Sequence, residues 1–163
     1  MQAMQQSIEP SGSPSSLEPQ PDLALRMRGP ILGDRQRETL DACLPLLIPA
    51  LESDGWKLNV EDVRELVANG GFQLWVIFDA KKREILAAIL SEILEYPRKK
   101  VFSLAFCGGH HVERWSYFIG SFAQAAMSQG CHALRIAGRP GWARIFPQMR
   151  ERARILETDL EVE

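Results

Sequence analysis

The chain offers little that would tie it to a membrane, an oxidising compartment or a nucleic acid. Its 163 residues include three cysteines, Cys43, Cys107 and Cys131, odd in number and widely spaced, with no Cys-x-x-Cys pair. That excludes a disulfide framework and points to free thiols in a reducing compartment. No apolar run approaches the ~18–20 residues of a membrane span. The N-terminus is polar and proline-rich with no apolar h-region, so no secretory signal is expected. Nineteen Lys and Arg against 21 Asp and Glu give a net charge of −2, which leaves no electrostatic case for nucleic acid. The short basic runs Lys81-Lys82-Arg83 and Arg98-Lys99-Lys100 fall at expected turns and read as solvated hairpin tips. The expected setting is the cytoplasm.

What is present is an ordinary globular composition, 45% hydrophobic and 25% charged, of a size for one domain with a real core. Residues 1–21 are rich in Ser, Pro, Gln and Glu and nearly free of large apolar groups. Such a segment buries too little surface to offset its ordering entropy, so a tail ordered only by a partner is expected there, and the domain proper spans 22–163. Leu23-Ala24-Leu25-Arg26-Met27-Arg28 alternates, with Leu23, Leu25 and Met27 on one face, as a short strand ended by Gly29-Pro30. Asp34 is placed to cap a helix reaching Ser53, with Leu40, Cys43, Leu44, Leu47 and Leu51 on one face. Asn59 caps a second helix ending at Asn69-Gly70-Gly71.

The period then changes. Phe72–Asp79, Glu84–Tyr96 and Val101–Cys107 read as an antiparallel meander. A helix from His111 or Val112 to Ser128 carries Trp115, Phe118, Ile119, Phe122 and Ala126 on one face and few charges anywhere, so burial around most of its circumference is expected. Ala133–Ala137 reads as a short central strand, parallel to the third meander strand because a crossover helix joins them. Pro140 opens a brief helix that Pro147 cuts short. Leu156, Thr158, Leu160 and Val162 alternate with Glu157, Asp159, Glu161 and Glu163, the pattern of a closing strand with an acidic outer face. The expected fold class is α/β, a mixed and mostly antiparallel sheet in the order β-α-α-β-β-β-α-β-α-β.

The stretch Cys107–Met149, CGGHHVERWSYFIGSFAQAAMSQGCHALRIAGRPGWARIFPQM, puts a helix N-terminus just beyond a strand end, a position suited to anions. With the element order of Leu23–Glu163, it resembles the GNAT N-acetyltransferase fold. The segment QGCHALRIAGRPGWARIFPQMRE, with its Gly-Arg-Pro-Gly-Trp-Ala-Arg run, and the ILETDLE end resemble small GNAT-like proteins of tailed bacteriophages, some of them associated with virion assembly.

The resemblance implies acetyl-CoA, its pyrophosphate bound by backbone amides between the third meander strand and the crossover helix. The corresponding residues are Gly108, Gly109, His110 and His111. The family pattern there is Arg/Gln-x-x-Gly-x-Gly/Ala; this loop lacks the leading Arg or Gln and the spacing, and carries Glu113. It reads either as a plain turn capped by Gly109 or His110, or as a cofactor cradle. Where family members often hold a tyrosine acid on the helix after the fifth strand, this chain has Phe146 or Pro147. Its two tyrosines, Tyr96 and Tyr117, lie elsewhere. Glu92 and Glu95 are the candidate bases; the plainer reading makes them solvent-facing strand carboxylates. No metal is expected, since His110 and His111 diverge and His132 is far along the chain. Cys107 reads as a buried small thiol rather than a nucleophile. Arg139, Trp142 and Arg144 form a candidate protein-binding cluster, with core packing the competing role for Trp142.

Two functions are therefore expected. In one, the chain works through protein–protein contacts with phage structural proteins, its N-terminal tail a tether, in the host cytoplasm and then the virion, with acetyltransferase activity degraded. In the other it is an active acetyl-CoA-dependent N-acyltransferase with an atypical loop.

Overall fold

A computed structural model describes residues 21–160. The expected tail therefore lies almost wholly outside the described residues. Strand β1 (Leu25–Arg28) precedes helices α1 (Arg35–Ser53) and α2 (Val60–Ala68). Strands β2 (Gln73–Asp79), β3 (Glu84–Tyr96) and β4 (Lys99–Gly109) follow as the meander. The crossover is α3 (Val112–Trp115), a 3-10 turn Ser116–Phe118, and α4 (Ile119–Ser128); β5 (Ala133–Ile136) and α5 (Trp142–Ile145) complete it. The five strands lie in chain order, antiparallel except for the parallel pair β4–β5.

The helices form where the pattern places them. The stripe Leu40, Cys43, Leu44, Leu47 and Leu51 is buried, and its helix lies over β3 and β4. Pro45 and Pro49 sit inside α1 without ending it. Both face solvent, as do Asp41 and Pro45, whose carbonyls they leave unpaired, so water can satisfy those groups. Asp34 stands at the α1 N-cap but makes no side-chain capping bond. Asn59 and Asp62 form a reciprocal capping box at α2.

Alternation along the strands splits the core in two. Leu74, Val76, Ala88, Leu90 and Phe106 pack under α1 and α2. Trp75, Ile77, Ile89, Phe102 and Leu104 pack under the crossover with Trp115 and Phe122. Trp75 makes edge contacts with the rings of Phe102 and Phe122.

Four expectations need correction. Leu23 is 82% exposed and lies outside β1, whose buried anchor is Leu25. The crossover is not one continuous helix: α3 closes after four residues and the chain tightens through Ser116–Phe118 before α4 begins. The closing strand does not form among the described residues; Arg150–Leu160 has no regular secondary structure and is exposed, with Leu156 at 95% and Leu160 at 80%. In consequence β5 is an edge strand of the sheet, as β1 is at the other side, rather than a central one.

Candidate functional site

The register places β5 against only the first part of β4. Pairing runs from Val101↔Ala133 to Leu104↔Ile136 and stops, while β4 continues to Gly109 beside β3. A bulge in β4 opposite Leu90 and Ser91 turns the strand at that point. The two parallel strands thus part beyond Leu104 and Ile136.

Side chains occupy the parting. Trp142 and Phe146 of the α5 corner stack with ring centroids 5.7 Å apart and planes at 20°. Phe146 is buried, and Trp142 packs half-buried against the core beneath the crossover. The space left among Leu104, Cys107, Trp115, Ile136, Trp142 and Phe146 is about 10 Å³, room for roughly one water molecule. Phe146 and Pro147, the positions that the sequence resemblance sets against a hydroxyl acid, belong to this closed corner or its exit. Arg139 and Arg144 flank it, exposed to solvent.

The glycines of the β4–α3 connection are committed to packing. Gly108 and Gly109 end β4 rather than forming a free loop. A side chain on Gly108 would overlap the Leu46 carbonyl of α1; one on Gly109 (φ +155°) would overlap the Leu86 carbonyl and approach Ala87 Cα at 2.7 Å. The His110 amide donates to the Leu86 carbonyl at 2.9 Å. His110 and His111 are exposed, and His111 Nδ1 lies 3.4 Å from Glu113 Oε1. A CoA pyrophosphate would find one amide of this turn taken and a carboxylate beside the His111 ring, and its pantetheine arm would find the parting filled. As packed, these residues do not fit the cofactor.

Cys107 lines the same small space, and burial pushes its thiol up to about 12. A group so held is an inert core thiol at neutral pH. His132 lies beyond α4, where its Nδ1 accepts from the Lys100 amide at 3.1 Å, well apart from His110 and His111 in the chain.

Glu92 and Glu95 stand on β3 in different surroundings. Glu95 is exposed and pairs with Lys100 at 3.1 Å. Glu92 is half-buried and lies two residues beyond Leu90, hence on the α1–α2 face. The register sets Glu92 beside Ser103 and Ser103 beside Arg135, one row across three strands. Burial raises the Glu92 carboxyl above its ordinary range, and Arg135 opposes the shift. Arg135 also reaches Tyr96, its guanidinium carbon 5.9 Å from the ring centroid. Neither Ser103 nor Arg135 stands out in the sequence; the register alone brings them to Glu92.

A second polar constellation fastens the crossover. Arg114 donates to Asp22 at 2.7 and 3.0 Å and to Asp79 at 3.1 Å. Asp79 is buried, and its other oxygen accepts from the Lys81 and Lys82 amides. Tyr117 donates to the Asp22 carbonyl at 3.1 Å. At the far end of the crossover, Gln129 pairs with Gln73, and Ser91 links Gln73 to the Trp75 indole N–H. Arg114 is one of the few charges on the crossover, which was the one local sign of its role.

No protein-family model matches the sequence, and no curated protein is significantly similar to it. Solved structures do resemble it. An aminoglycoside acetyltransferase from an uncultured soil metagenomic sample, solved with trehalose, shares 14% identity and a TM-score of 0.63 over 86% of this chain and 99% of its own. A GNAT family acetyltransferase from Staphylococcus aureus shares 9% identity and a TM-score of 0.58 over 85% of this chain and 100% of its own. A transcriptional regulator from Bacillus halodurans shares 15% identity and a TM-score of 0.56 over 85% and 99%. At these identities the likeness is one of backbone architecture, and it covers the body of the chain: the fold is GNAT-like.

Proposed function

We propose that this chain is a GNAT-fold binding module of a tailed bacteriophage, working through protein–protein contacts in virion assembly or structure, with acetyl transfer degraded. The observation that carries the reading is the parting of β4 and β5 closed by Trp142 and Phe146. The engaged His110 amide and the absence of a hydroxyl at Phe146 and Pro147 point the same way. Arg139 and Arg144 beside the Trp142 corner supply an exposed basic rim for a partner, and the polar N-terminal segment a tether. The phage setting rests on the resemblance of the Gly138–Arg144 region, and it places the chain in the host cytoplasm and then in the particle. Calorimetry with acetyl-CoA tests the catalytic half: no heat of binding is expected, and micromolar affinity would overturn it. Sedimentation with purified particles tests the other half; a chain found only in the unassembled fraction refutes it.

The acyltransferase reading is favoured by one feature, the half-buried Glu92 with its raised carboxyl beside Ser103 and Arg135. A carboxylate whose proton affinity is raised by burial is better suited to take a proton from an amine. That reading requires α5 to leave the parting. Turnover of acetyl-CoA with amine acceptors, lost in Glu92→Gln, would establish it.

A further inference from the structure

β1 and β5 are the two edges of the sheet, and the C-terminal part of the chain has a strand-like sequence that, among the described residues, pairs with neither. β5 is paired on one side only. Residues Ile155–Leu160 form no helix or strand, alternate in polarity from Leu156 onward, and bury almost nothing on their own body: Ile155, Leu156 and Leu160 are 83%, 95% and 80% exposed. Among the described residues, no backbone hydrogen bond joins Arg150–Leu160 to the domain. The contact that holds the segment is an exposed ion pair, Glu157 to Lys57 at 3.2 Å beside the α1–α2 connection. Exposed pairs of this kind contribute little.

We propose that the outer edge of β5 is completed by the Ile155–Leu160 segment of a second copy of this chain, exchanged reciprocally about a two-fold axis. This inference does not depend on the function proposed above. Side-chain parity supports it. On β5, Leu134 and Ile136 are half-buried on the crossover face, and Arg135 is exposed on the other. On the segment, Leu156 and Leu160 share one face, and Glu157 and Asp159 the other. Strand addition therefore lays leucine beside Leu134 and Ile136 and carboxylate beside Arg135, whichever way the strand runs. Among the described residues no carboxylate is within ion-pair reach of Arg135. Within one chain the segment stands off the edge that would bury it. A second copy presents the same edge, and two-fold symmetry makes the contact twice.

Light scattering on the full chain at high micromolar concentration is the first test. A mass twice the 18.4 kDa of one chain is expected, and a monomer overturns the proposal. The second test is a charge reversal at exposed positions, which spares the fold, as circular dichroism will verify. Glu157→Arg with Asp159→Arg is expected to weaken dimerisation about tenfold or more, and Arg135→Glu added to the same chain is expected to restore it. A dimer indifferent to the reversal, or one not restored, overturns the assignment to the β5 edge. Leu156→Asp, harmless to a monomer that exposes this side chain, is expected to lower the dimer fraction; an unchanged fraction counts against the exchange.

Discussion

Gly108 of β4 and Leu46 of α1 meet backbone to backbone: a Cβ on Gly108 would overlap the Leu46 carbonyl oxygen. The glycine is therefore required by the packing of α1 on the sheet, whatever binds at the turn beyond it. Gly108→Ala should destabilise the fold by about 3 kcal/mol, since backbone rather than a flexible side chain must move. Urea unfolding with and without acetyl-CoA checks this. An equal loss in both is expected; a protein of unaltered stability would remove the packing argument.

Phe146→Ala tests whether α5 is part of the core. The ring is 4% exposed and stacks on Trp142. Truncation should cost about 3 kcal/mol, the usual range for a buried aromatic. Trp142→Ala, at a half-buried position, should cost less. A Phe146→Ala protein as stable as the parent would mean that the corner is loosely held and the parting accessible.

The pair of Asp79 and Arg114 sets an acid limb. Asp79 lies below the ordinary carboxylate range, first because the Lys82 amide donates to it and then because Arg114 does. Asp22 is lowered chiefly by Arg114. Depressed carboxyls contribute stability that is present above the unfolded-state value and lost as pH falls through the folded one. The urea midpoint should therefore fall on acidification below about pH 4. Arg114→Met should lower the midpoint at neutral pH and flatten that limb. A limb of unchanged steepness would place the acid sensitivity elsewhere.

Glu92 has the opposite sign. Burial raises its carboxyl, so the protonated form suits the fold, and the favourable contribution is lost as pH rises through the folded value. Glu92→Gln should raise the midpoint at pH 7, with the two proteins converging below the ordinary glutamate range, about pH 4. A variant less stable than the parent at pH 7 would show the Arg135 attraction to outweigh the burial.

Local signals were legible where the physics is local. The α1 stripe, the Asn59 cap and the bounds of β3 at Glu84 and Tyr96 follow from spacing and capping within a few residues. The parallel neighbours β4 and β5 follow from the crossover rule. What the sequence did not disclose depends on residues far apart. Gly108-Gly109 reads as a turn; the approach of α1 and β3, which makes it a strand end, has no local sign. The break after Trp115 accompanies Arg114 and Tyr117 reaching Asp22 and Asp79. Leu156–Leu160 has a strand's alternation, but alternation names no partner. For the site, Glu92 was visible as a carboxylate on a strand, while its row with Ser103 and Arg135 required the register.

The Arg114 latch also bears on the order in which the molecule assembles. Its bonds to Asp22 and Asp79 span 92 and 35 residues, and the Tyr117 bond spans 95. Contacts of such span must overcome large loop-closure entropy and are made late. The meander hairpins, β2–β3 and β3–β4, have short connections and can zip first. The short β1 gains its lasting attachment when the crossover arrives, so its amides should be among the last to resist hydrogen exchange during refolding.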